Sequence, residues 1–186
     1  MLTVSQLATL RADINADGAL SIIPNNGDGN QLIADAYNAL AIPDFFVWMT
    51  NVSVQTVLDS ITWANYTPVD VADSTAIYTN RLLLIQTKQM NLQTMLTGRD
   101  IIDSSKANVR AGLRDAVVAL PSGTGGASLS AGGASGATVL SACLRKATRA
   151  EKLFSSGPVT TGSTTGNILV FEGKLTYQNV SDARAN

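Results

Sequence analysis

The chain contains no histidine, so the commonest general base and metal ligand of enzymes is missing. Cys143 is the single cysteine, which excludes an intrachain disulfide and a cysteine zinc cluster. Histidine-dependent serine and cysteine hydrolase centres and zinc hydrolases are therefore excluded by count. Charge is scarce too: 15% of residues are Asp, Glu, Lys or Arg, against roughly 25% in an average soluble protein. Long apolar runs are lacking, and the longest aliphatic one, Leu82-Leu83-Leu84-Ile85, is far short of the ~18 residues that cross a bilayer. The first residues show no basic stretch followed by an apolar segment, so no signal peptide is expected.

What is present is enough for a folded core. The chain has 186 residues and is 45% apolar, which suits one domain, or one domain with an appendage. Polarity comes from 16 Ser, 19 Thr and 13 Asn. The net charge of −1 conceals a gradient: residues 1–98 carry 8 acids and 3 bases (−5), and residues 99–186 carry 6 acids and 10 bases (+4). An acidic front and a basic rear suit end-to-end stacking or a partner of opposite sign at each end.

Thr3-Val4-Ser5-Gln6 fits a helix capping box, and Val4, Leu7, Leu10 and Ile14 give the apolar face of a first helix ending near Gly18. A second helix is expected from Asp28 or Gly29 to Leu40, stopped by Pro43, and a third from Ser53 to about Ala64. The longest spans Thr75 to Leu96, with Tyr78, Leu82, Ile85, Leu92 and Leu96 as its stripe. Residues 103–120 form another, ended by Pro121. Ser122 to Gly136 holds six Gly and four Ser in fifteen residues and reads as a long flexible loop. Helix is expected again from Ala137 to Phe154, then a Gly/Ser/Thr linker from Ser155 to Asn167. Ile168 to Phe171 and Lys174 to Tyr177 would be two strands about Gly173. The expected class is mainly α: a helical bundle over 1–154 with a flexible loop at 122–136, then 155–186 as linker and small β hairpin or arm.

Motifs for chemistry are weak. Asp13-x-Asn15-x-Asp17-Gly18 matches half an EF-hand loop, but the position of the bidentate Glu is Pro24. The Gly clusters at 123–126 and 132–136 lack the Lys-Ser/Thr of a phosphate loop. No catalytic residue, cofactor or metal site is expected, and Cys143 reads as a buried, inert thiol. The informative feature is basic. Lys106, Arg110 and Arg114 recur at i, i+4 and i+8, and Arg145, Arg149 and Lys152 at i, i+4 and i+7, beside Lys146. Such stripes fit phosphates or acidic protein surfaces, or else two solvated faces.

The stretch Pro24-Asn25-Asn26-Gly27-Asp28-Gly29, then Ile33-Ala34-Asp35-Ala36-Tyr37-Asn38 and Pro43-x-Phe45-x-Val47-Trp48, resembles small structural proteins of tailed bacteriophages. So does Ala147-Thr148-Arg149-Ala150-Glu151-Lys152-Leu153-Phe154 with the later Leu169-Val170-Phe171-Glu172-Gly173-Lys174-Leu175. The chain is similar to head–tail connector, or adaptor, proteins. That resemblance implies a mainly helical virion protein without enzymatic activity, assembled in the host cytoplasm and placed at the head–tail junction. It implies a ring, usually twelvefold, docked on the portal protein and on neighbouring copies, presenting a platform to a tail tube, nozzle or stopper protein. Packaged DNA would pass through without sequence readout; Lys106, Arg110, Arg114, Arg145, Lys146, Arg149 and Lys152 are then the candidate contacts, either to that DNA or to acidic surfaces of the portal or a neighbouring copy. The segment bearing Leu169, Phe171, Leu175 and Tyr177 is too apolar to hang in solvent, and would either reach a neighbouring subunit as an arm or fold back as a hairpin on its own helices; no membrane is involved. The alternatives are a capsid decoration or tail-completion protein, or a non-sequence-specific nucleic-acid-binding module.

Overall fold

A computed structural model describes residues 1–66, 75–118 and 133–185. The Gly/Ser stretch expected as a loop lies largely outside them, although its last residues, from Gly133, open a helix. In chain order the elements begin with helices α1 (Val4–Ala16) and α2 (Gly27–Asn38) and strands β1 (Phe46–Trp48) and β2 (Val52–Ser53). Helix α3 (Val54–Asp59), a 3-10 turn (Trp63–Tyr66), helix α4 (Thr75–Leu96), strand β3 (Ile101–Ile102) and helix α5 (Ala107–Val117) follow. The chain continues through α6 (Gly133–Ala142), β4 (Leu144–Lys146), α7 (Arg149–Leu153), β5 (Ser156–Thr161), β6 (Thr164–Ile168) and α8 (Tyr177–Ala185).

The class is mixed α/β, and this corrects the expected helical bundle: a mixed four-stranded sheet has the order β4-β1-β6-β5. β1 runs parallel to β6, with Val47 opposite Asn167. Bonds from Ala147 N–H to the Phe45 carbonyl and from Met49 N–H to the Cys143 carbonyl set β4 antiparallel to β1. The helix expected over 137–154 is thereby broken, because residues 144–146 give their backbone to this ladder. The C-terminal hairpin is real but earlier than expected. Thr160, Thr161, Thr164 and Thr165 are β-branched and suit a pleated strand better than a linker. Gly162 supplies the turn at φ +63°, and the hydroxyls of Thr160 and Thr165 meet across it at 2.8 Å. Leu169 to Thr176, expected to supply most of two strands, form no regular element.

The chain divides into two compact units, each discontinuous in sequence. The first comprises residues 1–47, 146–158 and 167–186. Its core gathers Leu10 and Ile14 of α1, Ile33 and Tyr37 of α2, Ala150 of α7, and Leu175, Val180 and Ala183 of the C-terminal segment. The α1 capping box is formed, with Gln6 N–H on Thr3 Oγ1 and Thr3 N–H on Gln6 Oε1. Helix α8 packs on α1 and α2. Its Arg184 donates to the carbonyls of Ile23 and Pro24 and to Asn30 Oδ1. The Asn38 amide clasps Leu175 from both sides, donating to its carbonyl and accepting its N–H, both at 2.8 Å.

The second unit comprises residues 48–145 and 159–166. Helix α5 packs between α4 and α6, burying Ile85, Leu92, Leu113, Val117, Val139 and Leu140. Its largest buried side chains are Trp48 and Arg110. Gly166 lies so close to Leu144 and Trp48 that a Cβ there would meet Leu144 Cδ2 at 2.5 Å and the Trp48 ring at 3.0 Å.

Candidate functional site

In the first unit, α1 presents Asp13, and Asp17 one turn on, at its C-terminal end. The Thr148–Glu151 capping box starts α7 and fixes the backbone of Arg149 at the first helical position. The Arg149 Nη2 lies 2.9 Å from both Asp13 Oδ2 and Asp17 Oδ2. Its guanidinium stacks on the Tyr37 ring, 4.5 Å from the centroid, and the Tyr37 hydroxyl donates to the same Asp13 oxygen. Burial, then that hydrogen bond, push the Tyr37 phenol well above its usual range, so it stays a donor. Burial alone would lower Arg149, but the bonds from Asp13 and Asp17 outweigh it and hold the guanidinium more firmly charged than usual.

Asp17 also accepts the N–H groups of Ala19 and Leu20 at 2.9 and 3.2 Å. Those bonds, and then Arg149, hold its carboxyl below the usual carboxylate range. A carboxyl whose pKa is lower folded than unfolded stabilises the fold fully above its unfolded value, about 3.9. That contribution disappears as pH drops through the lower folded value. Urea midpoints measured across pH are therefore expected to stay level down to about pH 4–5 and then fall. The fall is expected to be shallower in Asp17→Asn, which cannot titrate; an identical profile in the variant contradicts the assignment.

Beside this node lies a shallow depression of about 800 Å³. Its apolar lining is Ala36, Ala39, Leu40, Ala41, Ile42 and Leu153, and Asp13, Asp17, Arg149 and Lys152 add charges of both signs. Leu40 is 58% exposed and Ile42 93% exposed. The Lys152 ammonium lies 5.7 Å from the centre of the Phe45 ring.

The other basic residues are dispersed. Arg145 and Lys146 are on β4 while Arg149 and Lys152 are on α7, so their spacing does not describe one helix face. Lys146 pairs with Asp44 at 2.8 Å and Lys106 with Asp103 at 3.7 Å. Arg114 is in the last turn of α5, its side chain against the Gly162 turn. Arg110 is buried, donating to the Ser104 and Ser105 carbonyls at 2.8 and 2.6 Å and to Thr161 Oγ1 at 3.1 Å. Its guanidinium lies 4.9 Å from the Trp48 ring centre. Burial lowers its pKa, opposed by Asp103. Arg110 is thus a structural cation of the second unit.

The apolar arm residues sit within the first unit. Leu175 is in its core, Phe171 meets Phe154 edge-on at 5.4 Å, Leu169 is half-buried and Tyr177 is exposed. Burial raises the Cys143 thiol to about 11. Among the described residues, no three or more Cys, Asp or Glu side chains converge as a metal-binding group. No family model, curated protein or solved structure matches the chain.

The Arg149 node joins residues 136 apart in sequence and was not readable as a pair. Two local signals pointed toward it: Asp13 and Asp17 share a helix face at i, i+4, and Thr148-x-x-Glu151 is a helix-start signature that separates Arg149 from Arg145.

Proposed function

We propose that the chain is a structural subunit of a tailed-bacteriophage particle, a head–tail adaptor that docks on the portal protein and on copies of itself. The observation that carries this reading is the depression of the first unit. Exposed Leu40 and Ile42, with Ala36, Ala39, Ala41 and Leu153 and charges of both signs in the same lining, combine apolar surface with polar groups as a protein–protein contact does. The resemblance of the stretches around Tyr37 and Arg149 to connector proteins supports the same reading, since both stretches line this depression. The arrangement suits a protein partner better than DNA, because Arg149 already carries two carboxylates and Arg110 is buried.

Electron microscopy of particles assembled with the chain, and with a Leu40→Asp/Ile42→Asp variant, tests the proposal. The unaltered chain is expected as a ring beneath the portal. The variant is expected to fold normally, since both side chains are exposed, yet to be missing from particles that then lack tails. Tailed, infectious particles lacking this chain overturn the adaptor role.

A further inference from the structure

We infer that the depression of the first unit receives the outward, acidic face of helix α2 from a second copy of this chain, a head-to-tail contact; this rests on reading the depression as a protein contact, not on the adaptor role. The charges in the lining are committed to one another, with one exception. Asp13 and Asp17 hold Arg149 between them; Asp13 also accepts the Tyr37 hydroxyl, and Asp17 accepts two main-chain N–H groups. Lys152 has the Phe45 ring beside its ammonium, and no carboxylate among the described residues pairs with it. Leu40 and Ile42 of the same lining are exposed. An occupant that matches this surface brings an apolar side chain with a carboxylate next to it.

The chain carries that combination itself. Asp28, Leu32 and Asp35 follow at i, i+4 and i+7 on α2, on the side away from buried Ile33 and Tyr37. Leu32 is 61% exposed. Both aspartates are exposed too, Asp35 accepting the Gln31 amide at 2.8 Å, and α2 holds no basic residue to balance them. Lys174 lines a shallow cleft with Asp35 without pairing to it. The other exposed apolar side chains of this unit lack such company. Val4, Ile22 and Tyr177 have no acid within four positions. Asp44, two residues before Phe46, is paired with Lys146, and Glu172, two residues after Val170, is engaged within the chain.

The two patches are complementary in sign and both have an apolar anchor, which selects one for the other. Asp28, Leu32 and Asp35 are not part of the depression's lining, so the patches are distinct. A contact between two different patches is heterologous: each copy leaves one patch free, and assembly continues past the dimer.

Sedimentation of the unaltered chain and of two variants tests this. Leu32→Ser/Asp35→Ser removes the α2 face, and Leu40→Asp/Ile42→Asp removes the depression; all four side chains are exposed, so circular dichroism is expected to be unchanged. The unaltered chain is expected to associate beyond the dimer as concentration rises, and less so at high salt. Each variant alone is expected to stay monomeric. Mixed, the two are expected to stop at a heterodimer, because each supplies the patch the other lacks. Lys152→Glu is expected to weaken association, and Lys152→Glu/Asp35→Lys, which exchanges the signs, to regain it. An unaltered chain that stays monomeric at millimolar concentration overturns the inference, as does a mixture without heterodimer or a charge exchange without recovery. A monomeric chain that still forms a ring beneath the portal overturns this contact alone and leaves the adaptor role standing.

Discussion

Deleting residues 169–186 is expected to unfold the unit formed by residues 1–47, 146–158 and 167–186. The deletion removes Leu175 and Val180 from full burial and Phe171 from its edge-on contact with Phe154. Each large apolar side chain taken out of water contributes about 1.5–3 kcal/mol. The two hydrogen bonds between Asn38 and Leu175 add about 0.5–1.5 kcal/mol each. Together these approach the total stability of a typical domain, about 5–15 kcal/mol. Truncated protein should therefore lose its cooperative melting transition for this unit and expose Ile33 and Leu10, visible as dye binding. Leu175→Ala is a milder version, expected to cost about 2–5 kcal/mol in denaturant titration. A truncated chain with unaltered melting that fails only to enter particles would mean that the segment docks on another molecule.

Replacing Arg110 by alanine carries the second large effect. The guanidinium fills the space under Trp48, and its N–H groups satisfy two main-chain carbonyls and Thr161. Truncation leaves a cavity and abandons acceptors in an apolar interior, each worth about 1–3 kcal/mol when unpaired. The expected loss is about 3–5 kcal/mol, measured as a lowered urea midpoint followed by tryptophan fluorescence. Arg110→Met refills much of the volume without donors and is expected to recover only the packing part. Full recovery by methionine would show that the hydrogen bonds contribute nothing net.

Some local features are legible in the sequence, though Val4 of the expected apolar face is 84% exposed and the third helix ends at Asp59 rather than near Ala64. Capping at Thr3, the stop before Pro43, and the inward positions Ile85, Leu92 and Leu96 follow from periodicity and from the chemistry of helix ends. The sheet is not legible in the sequence because its strands are short and their partners distant. β1 and β6 pair across about 120 residues, and no local pattern in Leu144-Arg145-Lys146 marks it as a strand inside an apparently helical run. The basic residues misled for a related reason. Lys106, Arg110 and Arg114 do lie along α5 and its cap, but Arg110 is drawn inward by Trp48; Arg145 is on β4 and Arg149 on α7, where two aspartates from the other end of the chain hold it. Burial of a cation depends on acceptors brought by the fold, and spacing alone carries no record of them.

The interleaving of the two units imposes an order on biosynthesis. Residues 1–47 leave the ribosome with Leu10, Ile14, Ile33 and Tyr37 on two short helices, but the residues that cover them, Ala150, Phe154, Leu175, Val180 and Ala183, lie a hundred or more positions downstream. At about 5–20 residues per second the wait is on the order of ten seconds, long compared with the microseconds in which helices form. During that interval the amino-terminal helix pair is a sticky, half-finished surface. The nascent chain is therefore a natural client for holding chaperones, and the yield of soluble protein should depend on them more than the stability of the finished fold suggests.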